Sequence, residues 1–238
     1  MKIFRTIIVI LLLLIFFLVA GFGLYGFLYY REKVDKDPLE PKIEKIMKDY
    51  TYVKKEDLPK DYLNAVVAVE DHRFYDHGAV DFIGILRAIF VNLKNQELQE
   101  GGSTITQQVA KNLYFMDDSS QVFRRKLAEV FVSIDLQNKY DKEQILEIYA
   151  NTINFGNGFY GINEACQGYL HKKPSEMTLA EATMMAGIPN APSVYAPTVN
   201  KDLCKQRQKK VIQSMVENKY ITQEEADKID QSFIDSIE

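Results

Sequence analysis

From Ile7 to Tyr30 the chain carries no charged residue, and Leu, Ile, Val and Phe fill most of the run. A helix needs about 20 such residues to cross the hydrocarbon core of a bilayer. Whatever the remainder folds into, it does so beside a membrane. Signal peptides have a shorter apolar core, about 7–15 residues, that ends in a small-residue cleavage site. Here Ala20, Gly21 and Gly23 lie inside the run, and Phe22 and Leu24 continue it, so an uncleaved single-pass anchor over 7–30 is expected. Tyr25, Tyr29 and Tyr30 at its far end suit a membrane interface. Lys2 and Arg5 precede the run while Arg31, Lys33 and Lys36 follow it, so basic residues do not fix the orientation. The short flank, residues 1–6, favours a cytoplasmic N-terminus and a body on the far side.

The body is long enough for one domain with a real core, or for a core plus a smaller lobe. A net charge of −4 leaves no basic surplus for nucleic acid. Cys166 and Cys204 can pair or stay free, and neither belongs to a CxxC or a zinc spacing. Residues 31–54 are charged and contain Pro38 and Pro41, which reads as a linker or a loosely docked approach segment. Beyond them the apolar spacing is helical nearly throughout, so the predicted class is all-α. Asp141 with Gln144, Thr178 with Glu181, and Thr222 with Glu225 have the spacing of capping boxes. Residues 82–93, FIGILRAIFVNL, are apolar nearly all round. They suit either a buried core helix or a helix dipping into lipid.

Three segments carry residues suited to chemistry. In the first, Glu70, Phe74 and His77 fall on one face if the helix continues through them. A carboxylate leaving the apolar run AVVAVE is partly desolvated and a stronger proton acceptor for it. The bland alternative is a solvated helix end. A metal site is a third option, through His72 and Asp76 or His77 and Asp81, without the further ligands that would make it strong. In the second segment, Gly101 and Gly102 lead into a helix that Ser103 or Thr104 can cap. Thr104, Gln107, Gln108 and Lys111 then share a polar face opposite Ile105, Val109 and Leu113, which suits a sugar–phosphate ligand. In the third, Arg125 and Glu129 can be an ordinary surface pair, but Glu129 precedes the apolar run VFV and can point inward. Arg124, Arg125 and Lys126 form a cationic cluster that fits a pyrophosphate.

Taken in order, these segments resemble the motifs of the family 51 glycosyltransferases, which polymerise lipid II into peptidoglycan. The first motif is matched at Glu70, Asp71, Phe74, His77, Gly78 and Asp81, with Ala79 at a variable position. The second, G-x-S-T-I-T-Q-Q-x-x-K-N, runs from Gly101 to Asn112, and the third is matched at Arg125, Lys126 and Glu129. The fourth runs from Ile145 through Glu147, Tyr149 and Asn151 to Gly156. The fifth, usually two arginines before Val-Leu, keeps Arg207 but has Gln208 in the second place.

The resemblance implies a lysozyme-like helical body over 55–238 with a membrane-associated lobe, which favours lipid contact for residues 82–93. It makes Glu70 the general base and Glu129 the second catalytic carboxylate, orienting cations or holding a divalent metal such as Mg or Mn. It assigns Asp71, Phe74, His77, Ser103, Thr104, Gln107, Gln108, Lys111, Asn112, Arg125 and Lys126 to substrate binding. Expected partners are lipid II, the growing glycan strand, membrane lipid and other cell-wall synthesis proteins. No serine is followed by lysine at the S-x-x-K spacing of a transpeptidase, so the monofunctional form is expected. A lysozyme-like hydrolase and a non-catalytic scaffold are the alternatives. The first has no use for a pyrophosphate cluster, and the second would not need both glutamates.

Overall fold

The computed structural model describes residues 2–95, 101–116, 118 and 121–238. Its helices are α1 (Lys2–Lys36), α2 (Leu39–Met47), α3 (Lys60–Glu70) and α4 (Phe82–Asn95), then α5 (Ile105–Tyr114), α6 (Val122–Lys139) and α7 (Lys142–Thr152). They continue with α8 (Ile162–Leu170), α9 (Leu179–Gly187), α10 (Pro192–Tyr195), α11 (Lys201–Glu217) and α12 (Gln223–Asp227). Among the described residues there is no strand, only an isolated bridge between Asn154 and Tyr160. The class is all-α, as the apolar spacing predicts.

Local chemistry starts the helices where the sequence marks them. Asp141, Thr178 and Thr222 each accept from the backbone three residues on, and Gln144, Glu181 and Glu225 reach back to close the box. Each such cap contributes about 1 kcal/mol. Tertiary burial does the rest. α3 packs against α9 and α11, and α5 packs against α6 and α7. Tyr62, Val66, Ile105, Leu136, Ile148 and Tyr149 are fully buried where these layers meet. Cys166 and Cys204 are free and buried, with Cys166 against the Met177 sulfur.

Residues 31–54 do not hang loose. α1 continues to Lys36, and α2 buries Leu39 and Ile43 in the core. The segment after α2 is clamped by the fourth motif. Tyr52 donates to Glu147, and the Lys55 amide donates to the same carboxylate. Asn151 accepts from the Val53 amide and donates to its carbonyl. Apolar residues spaced for one face of α2 are the reason a charged, proline-bearing stretch docks after all.

The first half of α1 stands clear of the body and is long and apolar enough to cross a membrane. Its second half lies along α6, with Gly26 and Tyr29 buried there. Tyr30 donates to Asp135 at 2.5 Å, and Arg124 stacks on Tyr25 and Tyr29. The tyrosines expected at a lipid interface are therefore used, in large part, for docking.

α4 presents Phe82, Ile83, Leu86, Ile89, Phe90 and Leu93 to the outside and buries Ala88. An exposed apolar face of this kind in an anchored protein fits the lipid surface rather than the core. A polarity-sensitive fluorophore on Phe90→Cys in vesicle-reconstituted protein should be quenched by nitroxides on lipid acyl chains. A water-like spectrum without quenching would remove α4 from the bilayer.

Candidate active site

α3 stops at Glu70 because Asp71 is needed elsewhere. Asp71 takes φ −160°, and its carboxylate accepts from the Ile105 amide at 3.0 Å and meets His77 Nε2 at 2.7 Å. Glu70, Phe74 and His77 thus do not share a helix face, contrary to the periodicity argument. Phe74 falls into the core, with the Lys142 ammonium 4.4 Å from its ring centre.

His77 also meets the Gly78 carbonyl, through Nδ1 at 2.5 Å. An imidazole flanked by two acceptors satisfies both only as the doubly protonated cation. Burial opposes that charge, but hydrogen bonds to Asp71 and to Gly78 outweigh it and hold His77 above its ordinary value. A raised folded value contributes stability that is complete below the unfolded pKa, about 6.5, and is lost as pH rises through the folded one. The thermal stability advantage of wild type over His77→Gln should therefore be largest at pH 6 and shrink toward alkaline pH. An advantage independent of pH would mean that His77 acts by packing alone.

Glu70 is nearly buried and held at both oxygens. Oε2 accepts from Gln108 at 2.8 Å, and Oε1 accepts from Arg207 Nη2 at 2.8 Å. Arg207 is the arginine that the degraded fifth motif keeps. Its neighbour Gln208 is fully buried and knits α11 to α9, donating to Ala180 and Thr183 and accepting from Gln231. A charged arginine there would have to find the same partners without solvent, which explains why glutamine suits the position.

Thr104 caps α5 in a capping box with Gln107, and its hydroxyl side chain also meets the Ala79 carbonyl. The polar atoms of Thr104 and Gln107 are thereby engaged at the helix start. Gln108 and Lys111 of that face line open space, as does Asn112 beside them. The Asn112 amide nitrogen is buried with no acceptor among the described residues.

Glu129 is fully buried, so it is not half of a surface pair. Arg125 Nε lies 3.2 Å from one oxygen and Lys126 Nζ 2.7 Å from the other. Lys126 also donates to Ser103 at 3.0 Å, tying α6 to the loop before α5. Burial, with repulsion from Arg125 and Lys126 only partly offset by Glu129, holds the Lys111 ammonium below its ordinary value. Three cations around one buried carboxylate leave the cluster with a net positive charge.

These groups open onto a cleft of about 710 Å³. Glu70, Asp71, Ser103, Gln108, Lys111, Asn112, Lys126 and Arg207 line it, joined by His72, Asn154, Asn190 and Lys210. Of the residues expected to touch substrate, Phe74, His77, Thr104, Gln107 and Arg125 do not line its wall. The first four hold the wall in place, and Arg125 stands behind Lys126 against Glu129. Asn154 and Lys210 carry no local signal that distinguishes them from ordinary surface residues, while Asn190 lies in the run 181–197, EATMMAGIPNAPSVYAP, which also resembles the family but assigns it no role.

Neither candidate metal position has a fitting donor set. Asp71, His77 and Asp81 bring one donor atom each within 4.8 Å of one another. Asp71 is committed to Ile105 and His77, and Asp81 to the Ile83 amide and Arg73. His72, the other histidine considered, meets the Arg87 guanidinium. Glu129 is a lone carboxylate whose two oxygens already face cations.

Residues 40–216 match the transglycosylase family. A putative transglycosylase of Cupriavidus necator is 43% identical over 179 residues, which cover 75% of each chain. Penicillin-binding protein 1A of Neisseria lactamica is 44% identical over 171 residues, 72% of this chain and 21% of that one. Penicillin-binding protein 1A of Neisseria flavescens is 43% identical over 176 residues, 74% of this chain and 22% of that one. The chain thus spans about a fifth of the length of these two penicillin-binding proteins. Over most of its length, including every motif around the cleft, this chain belongs to the transglycosylase family.

Proposed function

We propose that the protein polymerises lipid II into glycan strands by inverting β-1,4 glycosyl transfer, releasing undecaprenyl pyrophosphate. The observation that carries this reading is the pairing, in one cleft, of a held carboxylate with a cation cluster. Glu70 takes the proton from the 4-hydroxyl of the acceptor N-acetylglucosamine. That oxygen forms a bond to the anomeric carbon of the donor N-acetylmuramic acid as the bond to pyrophosphate breaks. Attack opposite the leaving group inverts the centre, so no covalent sugar intermediate is needed.

Pyrophosphate leaves with its charge, and what it requires is neutralisation rather than a proton. Lys111, Lys126 and Arg125 supply that positive charge in place before the bond breaks. Glu129 fixes the directions of Arg125 and Lys126, the role its ion pairs favour over metal binding. Asn112 at the cleft wall, whose amide nitrogen has no acceptor among the described residues, suits sugar or peptide oxygens. The exposed apolar face of α4, whose Arg87 lines the cleft, suits the polyprenyl chain of a lipid-linked donor, and α1 would keep the cleft near the membrane. On this reading the body lies on the extracytoplasmic side, where lipid II is presented, and the N-terminus lies inside.

Full-length protein in detergent, given labelled lipid II, should yield glycan polymer. Release of soluble fragments from purified sacculi, with no polymer from lipid II, would instead establish a hydrolase and end this reading.

A further inference from the structure

We propose that Tyr29, on the anchor helix, is a positioning residue that fixes Arg125 for the departing pyrophosphate. The inference rests on the role given to Arg125 above. Tyr29 is the last residue but one of the uncharged run, yet it is buried in protein. Its hydroxyl donates to the Asp118 carboxylate, and the Asp118 carbonyl accepts from Arg125 Nη1 at 3.1 Å. Arg125 Nε in turn lies 3.2 Å from Glu129. A continuous path of polar contacts therefore runs from α1 to the cation cluster through one residue.

The ring of Tyr29 does a second job. It packs on Phe115, which caps the end of α5, the helix that carries Lys111. Arg124 lies over the same ring at 4.2 Å. Tyr29 is thus wedged between the end of α5 and the start of α6, the two helices that supply the cations. One turn earlier, Gly26 lets α6 approach closely. A Cβ there would lie 2.4 Å from the Leu127 Cβ, a contact that cannot exist without moving α6. Phe22 on Phe123 and Phe27 on Phe131 flank this seat.

A helix whose sole task is anchoring needs none of this, since an interfacial tyrosine hydroxyl is satisfied by water or lipid headgroups. Arg125 stands behind Lys126, so it acts on the departing group through the charge and order of the cluster. Guanidinium–carboxylate pairing is directional enough that a shifted Arg125 disturbs Glu129 more than a shifted lysine would. Holding Nη1 to a backbone carbonyl while Nε faces Glu129 leaves the planar group little rotation. The anchor then contributes to the site directly as well as by tethering it.

The test uses the full chain in detergent with labelled lipid II, and inorganic pyrophosphate as a competing probe. Tyr29→Phe keeps the ring on Phe115 and under Arg124 and removes only the hydroxyl. Its kcat/KM should fall roughly tenfold, with a similar weakening of pyrophosphate inhibition, the size of one charge-assisted hydrogen bond. In an Arg125→Ala background the same substitution should cost nothing further, because the two act through one group. Wild-type kinetics and inhibition in Tyr29→Phe, or losses that add in full to those of Arg125→Ala, would overturn the inference. If Arg125→Ala itself behaves as wild type, the assignment of Arg125 falls instead, so the two failures are told apart.

Discussion

Glu70→Gln should lower the rate of glycan polymerisation roughly 10²–10⁴-fold, the contribution of a well-placed general base. That range corresponds to about 3–5 kcal/mol of barrier. The amide is nearly the same shape and keeps a hydrogen-bond acceptor for Arg207, so folding should survive. It cannot take the acceptor hydroxyl proton. Binding should change little, because the cations that hold pyrophosphate sit on other helices. The expected signature is therefore a lost kcat with KM and pyrophosphate inhibition nearly intact. Polymer formation at an undiminished rate would overturn the choice of base while leaving the reaction standing. Arg207 supplies a companion measurement. Arg207→Ala frees Glu70 Oε1, now held at 2.8 Å, and should also reduce kcat by loss of aim.

Glu129→Gln should be the most destabilising substitution in the site. The carboxylate is fully buried between Arg125 and Lys126, with Lys111 close enough to feel its field. Removing its charge leaves cations facing one another with no anion. Breaking a buried pair costs about 3–5 kcal/mol, and the lower end applies here because Lys126 keeps contact with water. In a chain of this size that is a fall in Tm of roughly 6–12 °C. An anion that enters the cluster should restore part of the loss, so inorganic pyrophosphate should raise the Tm of Glu129→Gln more than that of wild type. A variant that melts with the wild type, with or without pyrophosphate, would show that Glu129 does not hold the cations together.

Much of this molecule was legible as local pattern. The uncharged run announced α1, and three capping boxes announced α7, α9 and α12 at the residues where they start. The apolar face of α4 was visible too, though its surroundings were not. Where periodicity was extended across a helix end it failed. Residues 70–77 have helical spacing, but the Asp71 carboxylate binds the Ile105 amide and α3 stops. No window around Asp71 contains Ile105.

The sequence by itself determined the anchor, the all-α class, the places where helices begin and the residue types that chemistry requires. These depend on forces acting within a few residues: transfer of apolar side chains out of water, and hydrogen bonds that close one turn. Tertiary structure alone decided how like residues divide their work. Gln107 became a cap while Gln108 holds Glu70, and Gln208 became a buried crosslink while Arg207 pairs with a carboxylate 137 positions away. Tyr29 became a docking residue packed on Phe115 and Arg124 rather than part of a lipid interface. Such pairings exist only once α3 is packed on α9 and α11 and α1 is laid on α6, because burial then leaves each polar group only the few partners packed against it.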